Sequence, residues 1–218
     1  MKPTTVIFDM DGLLIDSEPY WEEAGKETLE NFNISLTPHQ YHSSTGLRTR
    51  EWIHWWFSWF KVDLKHAVAA EETIISKAIE KIGAKALPMP GADTIFEFFK
   101  ERDFKIGLAT SSPHALVDVV ADKLGIRHYL QATASAEELP YGKPHPQVYL
   151  NCAEALQASP LHCICFEDSF NGMIAAKAAR MKCVVIPAPH HAQETKWDAA
   201  DLKLNGLPDF TEAVLNSL

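Results

Sequence analysis

The sequence predicts an α/β fold, a doubly wound parallel sheet interrupted once by a long helical insertion. Three observations carry this. Residues 4–8, Thr-Thr-Val-Ile-Phe, form an apolar and largely β-branched run that reads as a buried strand. Residues 17–82 lack strand patterning and read as helix. From Gly91 onward strands and helices alternate, the pattern of parallel strands joined by right-handed crossovers.

Each element follows from local chemistry. Thr37-Pro38 starts a helix, with a capping hydroxyl and a proline in the first turn. Asp63 caps a helix running through Ile82, and Gly83 ends it. Trp52, Trp55, Trp56, Trp59 and Phe60 recur at helical spacing and are expected inside the helical insertion, the alternative being that part of the run lines a substrate cavity or a protein contact. Two prolines and a glycine in residues 86–91 make a stiff connector. Residues 93–102 are helical, with Ile95, Phe98 and Phe99 on one side, and residues 105–110 are a strand. Ser112-Pro113 opens a helix that Gly125 closes, and residues 131–135 are a short strand. A helix over 146–157, a strand over 162–167, a helix over 170–180 and a strand over 183–187 follow. Residues 202–204 form a last strand, and Asp209 caps a last helix. The first strand belongs with the second half of the chain. The expected division is therefore a Rossmann-like core of residues 1–16 and 89–218, with 17–88 inserted as a helical domain.

Bulk properties narrow the function. The chain has 218 residues, 46% hydrophobic and 22% charged, which suits an ordinary globular protein with a sizeable core. A net charge of −9 argues against nucleic acid as the main partner. No apolar run reaches membrane-spanning length; residues 52–60 are too short and contain His54 and Ser58. No signal-peptide core precedes the first strand, and Cys152, Cys163, Cys165 and Cys183 form no Cys-x-x-Cys pair. The expectation is a cytoplasmic monomer with reduced, buried thiols.

Ligands of open α/β sheets collect outside the carboxyl ends of the strands. The first strand ends in Asp9-Met10-Asp11-Gly12, two carboxylates where burial is costly unless a partner offsets it. The strand over 105–110 ends in Thr110-Ser111-Ser112, beside a helix start that suits an anion. The strand over 162–167 ends in Glu167-Asp168, and a loop carries Gly142-Lys143-Pro144. Carboxylates, hydroxyls and one lysine are what magnesium-assisted phosphoryl transfer requires. Each motif alone has a plainer reading. Glu167-Asp168-Ser169 would cap a helix, Lys143 would be a solvated lysine, and Asp9-x-Asp11-Gly12 would open a calcium loop. Gly12 comes too early for that loop, and a strand precedes it.

Taken in order, Asp9-Met10-Asp11-Gly12 with Asp16-Ser17, Ala109-Thr110-Ser111-Ser112, Gly142-Lys143-Pro144 and Phe166-Glu167-Asp168-Ser169 resemble the haloacid dehalogenase superfamily, in its phosphatase and phosphoglucomutase branch. The resemblance spans nearly the whole chain and makes the insertion a mobile cap. It implies that Asp9 is a nucleophile forming an aspartyl-phosphate and that Asp11 is the general acid and base. It implies Mg²⁺ held by Asp9, the Asp11 backbone carbonyl and Asp168, with Glu167 assisting directly or through water. Thr110 and Lys143, with Ser111 and Ser112, would hold the phosphoryl oxygens, and Asn171 would brace their loop. From the cap, Trp21 and Arg48 are the candidate substrate contacts; a solvated helix start also accounts for Arg48 and Arg50. His190-His191 reads as a loop pair after Pro189.

Related β-phosphoglucomutases carry a histidine shortly after the Asp-Ser/Thr motif, whereas this chain has Pro19-Tyr20-Trp21. The pattern is similar to hexose-phosphate phosphatases, including 2-deoxyglucose-6-phosphate phosphatases. The expected function is a Mg²⁺-dependent phosphatase of small phosphorylated sugars. A phosphomutase is the alternative, and a non-catalytic phospho-ligand module a third reading that the retention of Asp9 and Asp11 disfavours.

Overall fold

The computed structural model describes residues 2–44 and 46–218, the His42 side chain excepted. The apolar run becomes strand β1 (Thr5–Phe8), buried along its whole length. Four helices follow: α1 (Glu18–Glu30), α2 (Pro38–His42), α3 (Thr49–Phe60) and α4 (Ala67–Lys85). The rest of the chain alternates as α5 (Ile95–Lys100), β2 (Lys105–Thr110), α6 (His114–Lys123), β3 (Ala132–Ser135), α7 (Gln147–Ala155), β4 (Cys163–Glu167), α8 (Phe170–Ala178), β5 (Lys182–Val185), β6 (Leu202–Lys203) and α9 (Glu212–Leu215). The sheet order is β3-β2-β1-β4-β5-β6, and every pairing is parallel. The chain leaves β1 towards one edge through β2 and β3, then returns to build the other from β4. The crevice where ligands collect therefore opens at the carboxyl ends of β1, β2 and β4.

Alternation along the strands separates two cores. Phe8 and Phe166 stack with ring centroids 5.1 Å apart, and Phe8 meets Phe96 at 4.9 Å on the same face. Ile7, Cys165 and Cys183 point to the other face, against Tyr149, Met173 and Trp197. All four cysteines are free and buried. Burial raises their thiols, Cys163 to about 11 and Cys152 to about 12, so they behave as packing groups.

In the helical segment, Thr37 makes the full capping box with Gln40, although α2 lasts only five residues. On α3, Trp52, Trp56 and Phe57 are buried, whereas Trp55 and Trp59 lie on the outside. Lys77 and Lys81 of α4 reach Glu27 of α1 at 2.6 and 2.8 Å. The connections into and out of this segment pair with each other: Asp16 N–H donates to Leu87 O and Met89 N–H to Leu14 O, both at 2.9 Å.

Two expected boundaries move. Asp63 caps a short 3-10 turn, Leu64–His66, that runs into α4. Gly83 lies inside α4 instead of ending it, because a Cβ there would press on Val119 of α6 at 3.2 Å; the glycine serves close packing. At the C-terminus Asp209 accepts from Asn205 N–H, and Thr211 caps α9 instead. The expected helix over 93–102 is shorter, its first residues forming turns.

Candidate active site

Asp9 follows β1 directly, and its N–H still donates to Phe166 O at 3.0 Å, so the strand geometry carries it to the sheet's rim. Gly12 turns the chain away with φ +72°, and a Cβ there would stand 2.2 Å from Asp168 Oδ2. Lys143 is 2% exposed and Glu167 0%. Its ammonium donates to Asp9 Oδ1 and Glu167 Oε1, each at 2.6 Å, and to Ala109 O at 3.1 Å. All three protons are thereby used, and the buried charge is doubly paired. Glu167 also accepts from the Tyr149 hydroxyl and from Ser169 Oγ, the latter at 3.1 Å.

Asp11 receives four donors. Ser17 Oγ and Trp21 Nε1 meet Oδ1 at 2.7 and 2.9 Å, while Ser112 Oγ and Thr110 Oγ1 meet Oδ2 at 2.7 and 3.4 Å. Ser17 and Trp21 belong to the start of the helical segment, so the segment and the core share this carboxylate. Ser111 Oγ donates to Gly46 O at 3.1 Å, across to the same segment, and Ser112 N–H is turned onto Thr110 Oγ1 at 3.0 Å.

These groups line a cavity of about 730 Å³, counted to its open mouth. Asp9, Asp11, Thr110, Ser111, Ser112, Lys143 and Asp168 form its core side, and Glu18, Trp21, Tyr41 and Trp52 its helical side. Two candidates lie elsewhere. Glu167 sits behind the wall, held by Lys143, Tyr149 and Ser169. Arg48 does not line the cavity; its guanidinium is buried against the carbonyls of Ala136, Leu139 and Pro140, which draw it away as hydrogen-bond acceptors. Arg50 pairs with Glu71 at 3.1 Å near the surface. His191 pairs with Glu194 in the loop after Pro189, away from the cavity.

One oxygen each from Asp9, Glu167 and Asp168 lie within 4.8 Å of one another. Burial, then repulsion from Glu167 and Asp11 set against attraction from Lys143, pushes Asp9 up to about 8. Burial, with repulsion from Asp9 and Glu167, also raises Asp168 well above the carboxylate range. Glu18 is pushed up to about 8 by burial and by Asp11. A crowded set of hard oxygen donors with excess negative charge fits a divalent cation such as Mg²⁺.

Glu18, Tyr149 and Gly172 were not legible as site residues. A Cβ on Gly172 would fall 1.9 Å from Glu167 Oε1, so this α8 glycine makes room for the buried carboxylate. A glycine in the first turn of a helix directly after Glu-Asp-Ser was the one available signal.

A family model described as haloacid dehalogenase-like hydrolase matches residues 3–180. Hexitol phosphatase B of Escherichia coli (strain K12) is 39% identical over 209 residues, covering 94% of this chain and 93% of that protein. Fructose-1-phosphate phosphatase of the same strain is 30% identical over 182 residues, covering 82% of this chain and 94% of its own. Among solved structures, a β-phosphoglucomutase from Clostridium difficile superposes with a TM-score of 0.86 at 22% identity, covering 98% of this chain and 96% of that one; this likeness concerns the fold. With four motifs gathered at the carboxyl ends of one parallel sheet and the family match over most of its length, the chain belongs to the haloacid dehalogenase-like hydrolase family.

Proposed function

We propose that the chain is a Mg²⁺-dependent phosphatase of small sugar phosphates, hexose or hexitol phosphates foremost, acting through an aspartyl-phosphate. The observation that carries this reading is the pairing of two differently held carboxylates on one cavity. Asp9 has Oδ1 fixed by Lys143, and its Oδ2 takes no hydrogen bond among the described residues. Asp11 is held by four donors two residues away. The hexitol and fructose phosphatases among its relatives support the substrate class.

In the first step an Asp9 oxygen bonds to phosphorus as the ester P–O bond breaks. Asp11, protonated with the Ser112 hydroxyl turned to accept from it, gives that proton to the departing sugar oxygen. In the second step a water oxygen bonds to phosphorus, its proton passes to Asp11, and the phosphorus–Asp9 bond breaks to release inorganic phosphate. Lys143 keeps Asp9 oriented throughout, and Thr110, Ser111 and Ser112 border the phosphoryl group. Magnesium, when held by Asp9, Asp168 and the Asp11 carbonyl with Glu167 behind them, supplies positive charge between an anionic nucleophile and an anionic substrate. Trp21 lines the cavity beside the substrate, but its indole N–H is an obligate donor to Asp11 and cannot shuttle a proton as a mutase histidine would.

The same reading treats residues 1–16 and 89–218 as the catalytic core and 17–88 as a cap, hinged where Leu14–Asp16 pairs with Leu87–Met89. We take the enzyme to be a cytoplasmic monomer, a compartment that its four free, buried cysteines suit. Separately, no helix among the described residues is long and apolar enough to cross a membrane. The test is a panel of sugar phosphates with Mg²⁺, including β-glucose 1-phosphate. Release of inorganic phosphate is expected. Conversion of the 1-phosphate to the 6-phosphate without release would overturn the reading.

A further inference from the structure

Arg48 and Glu51 sit at the start of α3, yet their polar contacts lie on the core. Arg48 is 7% exposed. It donates to Ala136 O at 2.9 Å, to Leu139 O, and to Pro140 O at 3.2 Å. Glu51 Oε1 accepts from Arg48 at 2.9 Å and from the Gly142 N–H at 2.9 Å. All four core partners belong to one loop, which runs from the end of β3 to Lys143. Gly142 permits the approach, since a Cβ there would stand 2.7 Å from Glu51 Oε2 and 3.2 Å from Arg48 Cβ. The planar fork of arginine suits a loop that turns three carbonyls to one side; lysine cannot reproduce it.

The contact is incomplete in a telling way. Among the described residues, Arg48 Nε and Glu51 Oε2 are buried polar atoms without a hydrogen-bond partner. Such atoms are costly while dry and are satisfied once water reaches them. The closed contact is thus held by several bonds and opposed by two orphans, which suits a joint that parts and re-forms.

We propose that Arg48 and Glu51 are a latch that fastens the helical insertion to the Lys143 loop, so that Lys143 is held on Asp9 and Glu167 only when the insertion is shut. They are positioning residues, without contact to the cavity. The role in turnover rests on the phosphatase reading above; the latch itself rests on the contacts alone.

The full-length chain and its Arg48→Ala, Arg48→Lys and Glu51→Ala variants test this in two arms. Amide hydrogen exchange over residues 136–142 is expected to quicken about tenfold or more in Arg48→Ala and Glu51→Ala, with Arg48→Lys between, as a locally opened segment does. In turnover, kcat for p-nitrophenyl phosphate and for a hexitol 6-phosphate is expected to fall by a similar factor, roughly ten- to a hundredfold, with KM little changed. Unchanged exchange at Gly142 would overturn the latch. A loss confined to the hexitol phosphate and carried by KM would make Arg48 a substrate contact and overturn it equally. Should Arg48→Ala fail to fold, Arg48→Lys keeps both arms decisive. If the wild-type chain hydrolyses neither phosphate, the phosphatase reading fails, and the exchange arm still decides the latch.

Discussion

Asp9 and Asp11 are two residues apart and live in different electrostatic worlds. Asp9 is buried at the cavity wall, crowded by Glu167, and held by one lysine. Asp11 sits among two serines, a threonine and an indole. Burial alone would leave Asp9 protonated near neutral pH, so the nucleophilic role proposed for it requires Lys143 and a bound cation to favour the ionised form, while four donors orient Asp11. Asp9→Asn is expected to lower kcat by about 10⁴-fold or more while circular dichroism and melting stay native. Wild-type turnover in that variant, or phosphate trapped on another residue, would refute the assignment. Trp21→Phe removes one donor from Asp11 and keeps an apolar ring. Its kcat/KM on phenyl phosphate is expected to fall about tenfold, the worth of a hydrogen bond to a charged group, with a smaller fall on p-nitrophenyl phosphate. The better leaving group needs less help from the acid, so equal falls on both would confine Trp21 to substrate contact. Asp9, Asp11 and Asp168 were readable because strand ends expose them to pattern. Glu18 and Glu51 were not, because nothing in a helical run says which face meets a cavity or a loop.

Elements matter here through their ends. β4 delivers Glu167 into the interior, and α8 begins three residues later, so the first turn of α8 must leave room for a carboxylate. Gly172 does so. Alanine normally stabilises a helix relative to glycine by about 1 kcal/mol. Gly172→Ala is nevertheless expected to destabilise the protein by about 1–3 kcal/mol, as overpacking does, and to lower activity by displacing Glu167 from Lys143. Denaturant unfolding measures the first and kinetics the second; a stabilised, fully active variant would refute the account. Most element positions were legible from caps, prolines and periodicity. Gly83 was not, because a glycine near a helix end reads as a stop until the neighbouring Val119 of α6 is seen. Asp209 failed similarly: Thr211, two residues on, has the same capping chemistry, and only the backbone chooses between them.

At the scale of the whole molecule, four carboxylates, Asp9, Asp11, Glu18 and Asp168, line one cavity with Lys143, and a fifth, Glu167, lies behind it on the same lysine. Asp9 and Glu18 are each pushed up to about 8, from ordinary values near 3.8 and 4.5. At these two groups the folded chain binds more protons than the unfolded chain across this window, whereas carboxylates held low by ion pairs and hydrogen bonds, such as Glu27, Asp63 and Asp122, act the opposite way below about pH 5. The stability these groups contribute is full below about pH 4 and is lost as pH rises through about 8. Metal-free protein is expected to melt progressively lower from about pH 5, where the ion-paired carboxylates have finished titrating, to about pH 8. Added Mg²⁺ is expected to restore most of the loss at the alkaline end, since it binds the folded state and offsets the same repulsion. Melting temperatures with chelator and with Mg²⁺ check this; a metal-free protein that grows more stable across the window would refute it.

By itself the sequence determined the parallel sheet, the helical insertion, three strand-end motifs and the Gly142-Lys143-Pro144 loop motif. These depend on residue order and period, which are local properties. Only the tertiary structure decided that Lys143 is bound between Asp9 and Glu167, that Trp21 holds Asp11, and that Arg48 fastens to the Ala136–Gly142 loop instead of reaching the cavity. Each of these is a contact between segments roughly ten to well over a hundred residues apart. The direction of a long polar side chain follows from which unsatisfied carbonyl or carboxylate the fold places within its reach.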